Sequence, residues 1–151
     1  MIRYAHTNIV ARDWRRLVAF YTEVLGCVAL PPERELDASW LARGTGVPNA
    51  SLRGMHLRLP GHGDGGPTLE IFQYAERLDR PEPAAANREG LGHLAFEVDD
   101  VAAIRERVLA AGGRDIGEQV NAVIDGAGTI TFTYVADPEG NIIELQCWDR
   151  S

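Results

Sequence analysis

HTNIVARDWRRLVAFYTEVLG, residues 6–26, and GHLAFEVDDV, residues 92–101, are the openings of one pattern written twice in this chain. Setting His6 on His93 (93 − 6 = 87) also sets Asp13 on Asp100 and Gly26 on Gly113. Residues 3–11 and 91–98 read as strands, with alternating apolar and polar positions. Each is followed by an aspartate placed to accept the unpaired amide hydrogens of a helix's first turn. Trp14, Leu17, Val18, Tyr21 and Leu25 then recur at helical spacing, as do Val101, Ile104, Val108 and Ala111. Gly26 and the pair Gly112–Gly113 supply the left-handed stop.

The ends of the two units match at a shorter offset. GPTLEIFQY (66–74) and GNIIELQCW (140–148) are both a turn feeding a strand, and Glu70 falls on Glu144 (144 − 70 = 74). The first unit therefore carries extra residues, which the sequence places in LDASWLARGTGVPN (36–49) and in the glycine run 61–66. Residues 75–90, rich in Ala, Pro and charge, read as a linker. Each unit reads β-α-β-β-β, with second-unit strands near 119–124, 128–136 and 141–148. The expectation is an α+β chain forming one domain over 1–151, with module 1 at about 1–74 and module 2 at about 91–148.

Strand parity then sorts the polar residues, because successive side chains point to opposite faces. Leu94, Phe96 and Val98 must meet the helix, so His93 points away. Leu69 and Ile71 leave Glu70 on the other face, and Ile143 and Leu145 do the same for Glu144. His6 shares its face with Asn8 and Val10. Taken singly, each histidine reads as a satisfied strand residue and each glutamate as part of a solvated face. Taken as two matched His–Glu pairs, they offer nitrogen and hard oxygen donors without sulfur. That donor chemistry suits a divalent ion such as Zn, Ni, Co, Mn or Fe(II) and does not choose among them.

With these residues in view, the chain resembles the vicinal oxygen chelate superfamily. That group includes glyoxalase I, methylmalonyl-CoA epimerase, extradiol dioxygenases, fosfomycin-resistance transferases and bleomycin-resistance proteins. The resemblance spans nearly the whole chain and is carried by HTNIVARDWRRLVAFYTEVLG, GHLAFEVDDV and DPEGNIIEL (137–145). It implies paired βαβββ modules whose strands form a curled, mixed, eight-stranded sheet, a cup around one metal ion, with helices on the outer face. It also implies that His6, Glu70, His93 and Glu144 stand at the ligand positions. The full His-Glu-His-Glu set is most similar to that of glyoxalase I. By that resemblance Glu144 is the first choice as catalytic base and Glu70 the second. The implied activity is that of a metal-dependent lyase or isomerase, with proton transfer through a metal-bound enediolate or enolate. The alternatives are an extradiol-type dioxygenase or a non-catalytic ligand- or drug-binding resistance protein.

Other polar residues are candidates for substrate contact. Asn8 shares the ligand face. His56 and Arg58, in MHLRL, have the parity to face the cup, where Arg58 could grip a carboxylate, or to lie at the surface. Phe72 and Trp148 follow the parity of the glutamates and read as apolar walls, with a subunit contact as the rival for Trp148. Trp40 either covers the cup or packs its own loop down. The glycine stretches around Gly44–Gly46 and Gly61–Gly66 lack the Gly-Lys-Ser/Thr of a phosphate loop and read as turns.

Composition bounds the rest. A chain of 151 residues with 45% hydrophobic content is long and apolar enough to bury a core. A net charge of −7 argues against nucleic acid, whose phosphates call for basic clusters. No run of about 18 apolar residues is present to span a bilayer. Met1 leads straight into a polar segment, with no secretory signal. Cys27 and Cys147 read as two reduced thiols of a cytoplasmic protein, with Cys147 expected to be buried. The expected partners are a small-molecule substrate and a second copy in a homodimer, with neither membrane nor nucleic acid.

Overall fold

In the computed structural model, residues 1–80 and 82–150 are described, and they fall into two compact units, Met1–Arg80 and Pro81–Ser151. The first unit runs β1 (His6–Val10), α1 (Trp14–Glu23), β2 (Val28–Leu36), α2 (Ser39–Thr45), β3 (Leu52–Arg58) and β4 (Thr68–Tyr74). The second runs β5 (Leu94–Glu97), α3 (Val101–Ala110), β6 (Arg114–Asp115), β7 (Val120–Ile124), β8 (Gly128–Ala136) and β9 (Ile142–Asp149).

Each unit holds one mixed sheet. In the first the strand order is β1-β4-β3-β2, with β1 parallel to β4 and the other pairs antiparallel. In the second β5 runs parallel to β9, β9 antiparallel to β8, and both β6 and β7 pair with β8. The eight expected strands become nine because the outer strand of the second unit is broken. Its counterpart β2 shows the same interruption in milder form, a register shift between Leu30 and Arg34.

The helices form where the sequence signals them. Asp13 and Asp100 cap α1 and α3, their carboxylates accepting from the amides of Arg16 and Ala103 at 3.1 and 2.9 Å. Gly26 and Gly112 adopt positive φ just beyond the helix ends. Helix α1 buries Trp14, Leu17, Phe20 and Tyr21 over β3 and β4, against Leu57, Leu69 and Ile71. Helix α3 buries Val101 and Val108 over β8 and β9, against Val135, Ile143 and Leu145. Complete burial of one such aliphatic side chain contributes roughly 1.5–3 kcal/mol, so each face stabilises its own unit.

Several local expectations change. The opening strands are shorter than 3–11 and 91–98. His6 is the first residue of β1, and His93 lies just before β5. The 36–49 stretch contains α2, whose buried Leu41 joins Ala50 and Leu52 in a small second core with Leu36, Phe72 and Tyr74 packed on it. By register Leu36, Leu52 and Tyr74 share the face of Glu70, so α2 closes one end of the sheet face opposite α1. Trp40 is 53% exposed and takes no part in that core. Cys147 is only half-buried, its thiol donating to the carbonyl of Asp99 at 3.8 Å, because β9 outlasts the helix above it. Among the described residues no helix is long and apolar enough to cross a membrane.

Candidate functional site

In the first unit Glu70 is the centre of a small polar cluster on the face opposite α1. Leu69 and Ile71, either side of it in β4, are buried against the helix and force its carboxylate the other way. Parallel pairing of β1 with β4 sets Asn8 beside Glu70 and His6 beside Thr68. Glu70 Oε2 lies 3.3 Å from His6 Nε2 and accepts from Asn8 Nδ2 at 3.3 Å. Antiparallel pairing of β3 with β4 places His56 directly across from Glu70, and His56 Nε2 lies 2.9 Å from Glu70 Oε1. The other ring nitrogen of His56, Nδ1, is 3.2 Å from the Thr68 hydroxyl. Burial pulls the His56 imidazole below its usual range, against the opposing pull of the Glu70 charge. Phe72, one step along the same face, sets its ring edge-on to His56 with centroids 5.7 Å apart.

The second unit repeats the histidine–glutamate pair with different neighbours, Ala95 pairing with Glu144 where Asn8 pairs with Glu70. Glu144 is forced off the helix face by buried Ile143 and Leu145, and its Oε2 lies 3.0 Å from His93 Nε2. The residue across the ladder from Glu144 is Tyr134, where the first unit has His56. The Tyr134 ring packs on His93 at 4.9 Å, and burial, with the Glu144 charge second, raises its phenol above the usual value. Gln146 and Trp148 continue the face, the indole donating to Gln146 Oε1 at 3.2 Å. Arg150 lies over the Trp148 ring at 5.6 Å.

The structure thus joins His6, Glu70, Asn8, His56 and Phe72 in one unit, and His93 with Glu144 in the other. Arg58 lies apart from Glu70 and pairs with Asp64 at 2.5 Å. Tyr134 and Thr68 went unremarked in the sequence. Tyr134 has the parity of Phe132 and Ile130, and only the β8–β9 register shows that it faces Glu144.

The donor set fits a divalent cation. Two donors each about 2.1 Å from an ion sit about 3.0 Å apart at a right angle and about 3.4 Å apart at the tetrahedral angle. The His Nε2 to Glu Oε2 separations of 3.3 and 3.0 Å lie in that range. Among the described residues no set of three or more His, Cys, Asp and Glu side chains is already gathered to hold a metal ion. Each unit brings together one histidine nitrogen and one carboxylate oxygen of this kind.

The chain is 26% identical over 144 residues to an ethylmalonyl-CoA/methylmalonyl-CoA epimerase of Cereibacter sphaeroides, covering 95% of this chain and 96% of that one. It is 30% identical over 141 residues to a lactoylglutathione lyase of Haemophilus influenzae, covering 93% and 88%. Its fold matches the crystal structure of a glyoxalase family protein from Bacillus cereus with a TM-score of 0.81, at 20% identity over 98% of this chain and 95% of that one. Residues 3–145 match the family described as Glyoxalase/Bleomycin resistance protein/Dioxygenase superfamily, and the chain belongs to that superfamily.

Proposed function

We propose that this chain is a divalent-metal-dependent enzyme of the glyoxalase and epimerase type, moving a proton on a carbon next to a carbonyl. Its ligands are His6, Glu70, His93 and Glu144. The observation that carries the reading is the repetition of one arrangement: a histidine Nε2 within 3.3 Å of a buried or half-buried glutamate carboxylate, on the face turned away from the helix, in both units. A bound divalent ion would supply Lewis acidity, drawing charge from a substrate carbonyl and so acidifying the neighbouring C–H.

The chain's own groups do the rest. Glu144 accepts the proton on a carboxylate oxygen and returns it to the adjacent carbon, a role typically contributing about 10²–10⁴-fold. Glu70 is the second choice for that role. Phe72 and Tyr134 provide apolar surface beside the two clusters, which limits competing proton exchange with water, and Trp148 lies further along the same face of β9. The names of the relatives offer two substrate classes: thiol adducts of 2-oxoaldehydes and acyl-CoA thioesters with an acidic α-carbon.

The test is a metal titration followed by assays in deuterated buffer. Ni(II), Co(II), Zn(II), Mn(II) and Fe(II) are added to the full chain, and each metallated form is offered the glutathione hemithioacetal of a 2-oxoaldehyde or methylmalonyl-CoA. Metal uptake lost in His6→Ala, with deuterium entering the product or recovered substrate, supports the reading. A protein that binds none of the five ions overturns it. Oxygen consumption with catechols would replace it by a dioxygenase.

A further inference from the structure

We propose that His56 is a positioning residue that clamps Glu70, so that the two matched glutamates are not equivalent: Glu70 is the held ligand and Glu144 the one free to move. This rests on the metal reading above and names the division of labour within it. Glu70 is gripped on both oxygens, Oε2 by His6 and Asn8, and Oε1 by His56 Nε2 at 2.9 Å. Glu144 has a single side-chain partner among the described residues, His93 on Oε2.

The difference comes from two positions: Ala95 pairs with Glu144 where Asn8 pairs with Glu70, and Tyr134 stands where His56 does. His56 and Tyr134 stand directly across the ladder from Glu70 and Glu144, yet only the imidazole turns a nitrogen onto its glutamate. Tyr134 lies against the His93 ring instead. In its Nε2–H tautomer His56 donates to Glu70 Oε1 at 2.9 Å, and Nδ1 then accepts from the Thr68 hydroxyl at 3.2 Å. His56 has no matched histidine in the second unit, where Tyr134 stands, so it is assigned to orienting Glu70 and not to the repeated ligand set, with the edge-on Phe72 ring packed against it.

The experiment is calorimetric titration of the full chain with Zn(II) and Ni(II), in the wild type, His56→Phe, His56→Gln and Tyr134→Phe, each first confirmed folded by its near-ultraviolet spectrum. Losing a hydrogen bond of this kind typically costs about 10–100-fold in metal affinity, and His56→Phe is expected to show that loss. Glutamine keeps an N–H for the Glu70 carboxylate, so His56→Gln should recover most of the affinity, and Tyr134→Phe should match the wild type. A metal-free readout stands beside it: imidazole ¹⁵N shifts should show His56 as the Nε2–H tautomer, with that preference weakened in Glu70→Ala. Metal binding by the wild type together with unchanged affinity in His56→Phe overturns the clamp and spares the metal reading. Equal losses in the Phe and Gln variants, or an Nδ1–H tautomer, also overturn it. A wild type that binds no ion overturns both.

Discussion

Gly54 lies directly across the β3–β4 ladder from Phe72, and the Phe72 ring occupies the space a side chain at Gly54 would need. A Cβ built there would stand 2.5 Å from Phe72 Cδ1 and would also press on the Ile71 carbonyl. The ring displaced in this way is the one set against His56. Gly54→Ala is therefore expected to destabilise the first unit by about 1–3 kcal/mol, the usual cost of overpacking, and to weaken metal binding as well. Urea unfolding gives the first quantity and calorimetry the second. Lost stability with unchanged metal binding would mean that the cost lies in the clash with the Ile71 carbonyl, and that Phe72 does not hold His56.

Glu144→Gln keeps the size of the side chain and removes its capacity to take a proton. On whichever substrate is turned over, kcat should fall by about 10²–10⁴-fold, with a much smaller fall in Glu70→Gln once metal is saturating. Steady-state kinetics at several metal concentrations separates the two effects. If Glu70→Gln proves the more damaging variant under saturation, the two glutamates exchange roles.

Much of this was legible in the residues, and the parts that were not share a physical reason. Asp13 and Asp100 mark helix starts by local chemistry, so the repeat could be aligned from them. Buried neighbours such as Leu69 and Ile71 fix the face of Glu70 by parity alone. The His56–Glu70 contact is different, because it depends on the β3–β4 register, which the connection over 59–67 sets and no local pattern records. The short helix α2 was equally hidden. Ala38 at its start makes no side-chain cap, its interior includes Gly44, and it is held by the contacts of Leu41 and not by propensity. His93 fell outside its expected strand because the parallel pairing with β9 begins only at Leu94 and Ile143.

The turn that feeds β9 is organised by one carboxylate. Asp137, almost fully buried, accepts from the amides of Glu139 and Asn141 at 2.8 and 3.0 Å and from the Asn141 side chain at 2.7 Å. Gly140 closes the turn at φ 89°. Asp137→Ala strands these donors and should cost about 1–3 kcal/mol or more, since the lost acceptor is charged. A thermal melt reads the loss of stability. Amide exchange should rise first at Glu139 and Asn141, and a uniform rise across β9 would instead mean that the turn is not the weak point.

A divalent ion that binds only the folded chain must raise its stability by mass action. At a free concentration 100-fold above Kd the gain is about 2.7 kcal/mol. The melting temperature should therefore rise with added metal in the wild type, fall back after EDTA dialysis, and stay flat in a His6→Ala/His93→Ala double variant. A rise of the same size in the double variant would locate the binding elsewhere on the chain.

Cys27 gives a pH-dependent test of the first unit's core. The side chain is buried behind α1, and burial pushes its thiol up to about 12. In the unfolded chain the same thiol titrates near its ordinary value of 9.0. Above that pH the unfolded chain sheds a proton that the folded chain keeps. The neutral thiol's contribution to stability is thus fully present below about pH 9 and declines as pH rises towards about 12. The slope for one proton is at most about 1.4 kcal/mol per pH unit. Other groups titrate in that window, so the quantity to measure is the difference between wild type and Cys27→Ala in urea unfolding at pH 8, 9 and 10. The wild type's stability relative to the variant should fall across that series. A difference independent of pH would mean that the Cys27 thiol ionises as readily in the folded chain as in the unfolded one, and that the core beneath α1 is open to water.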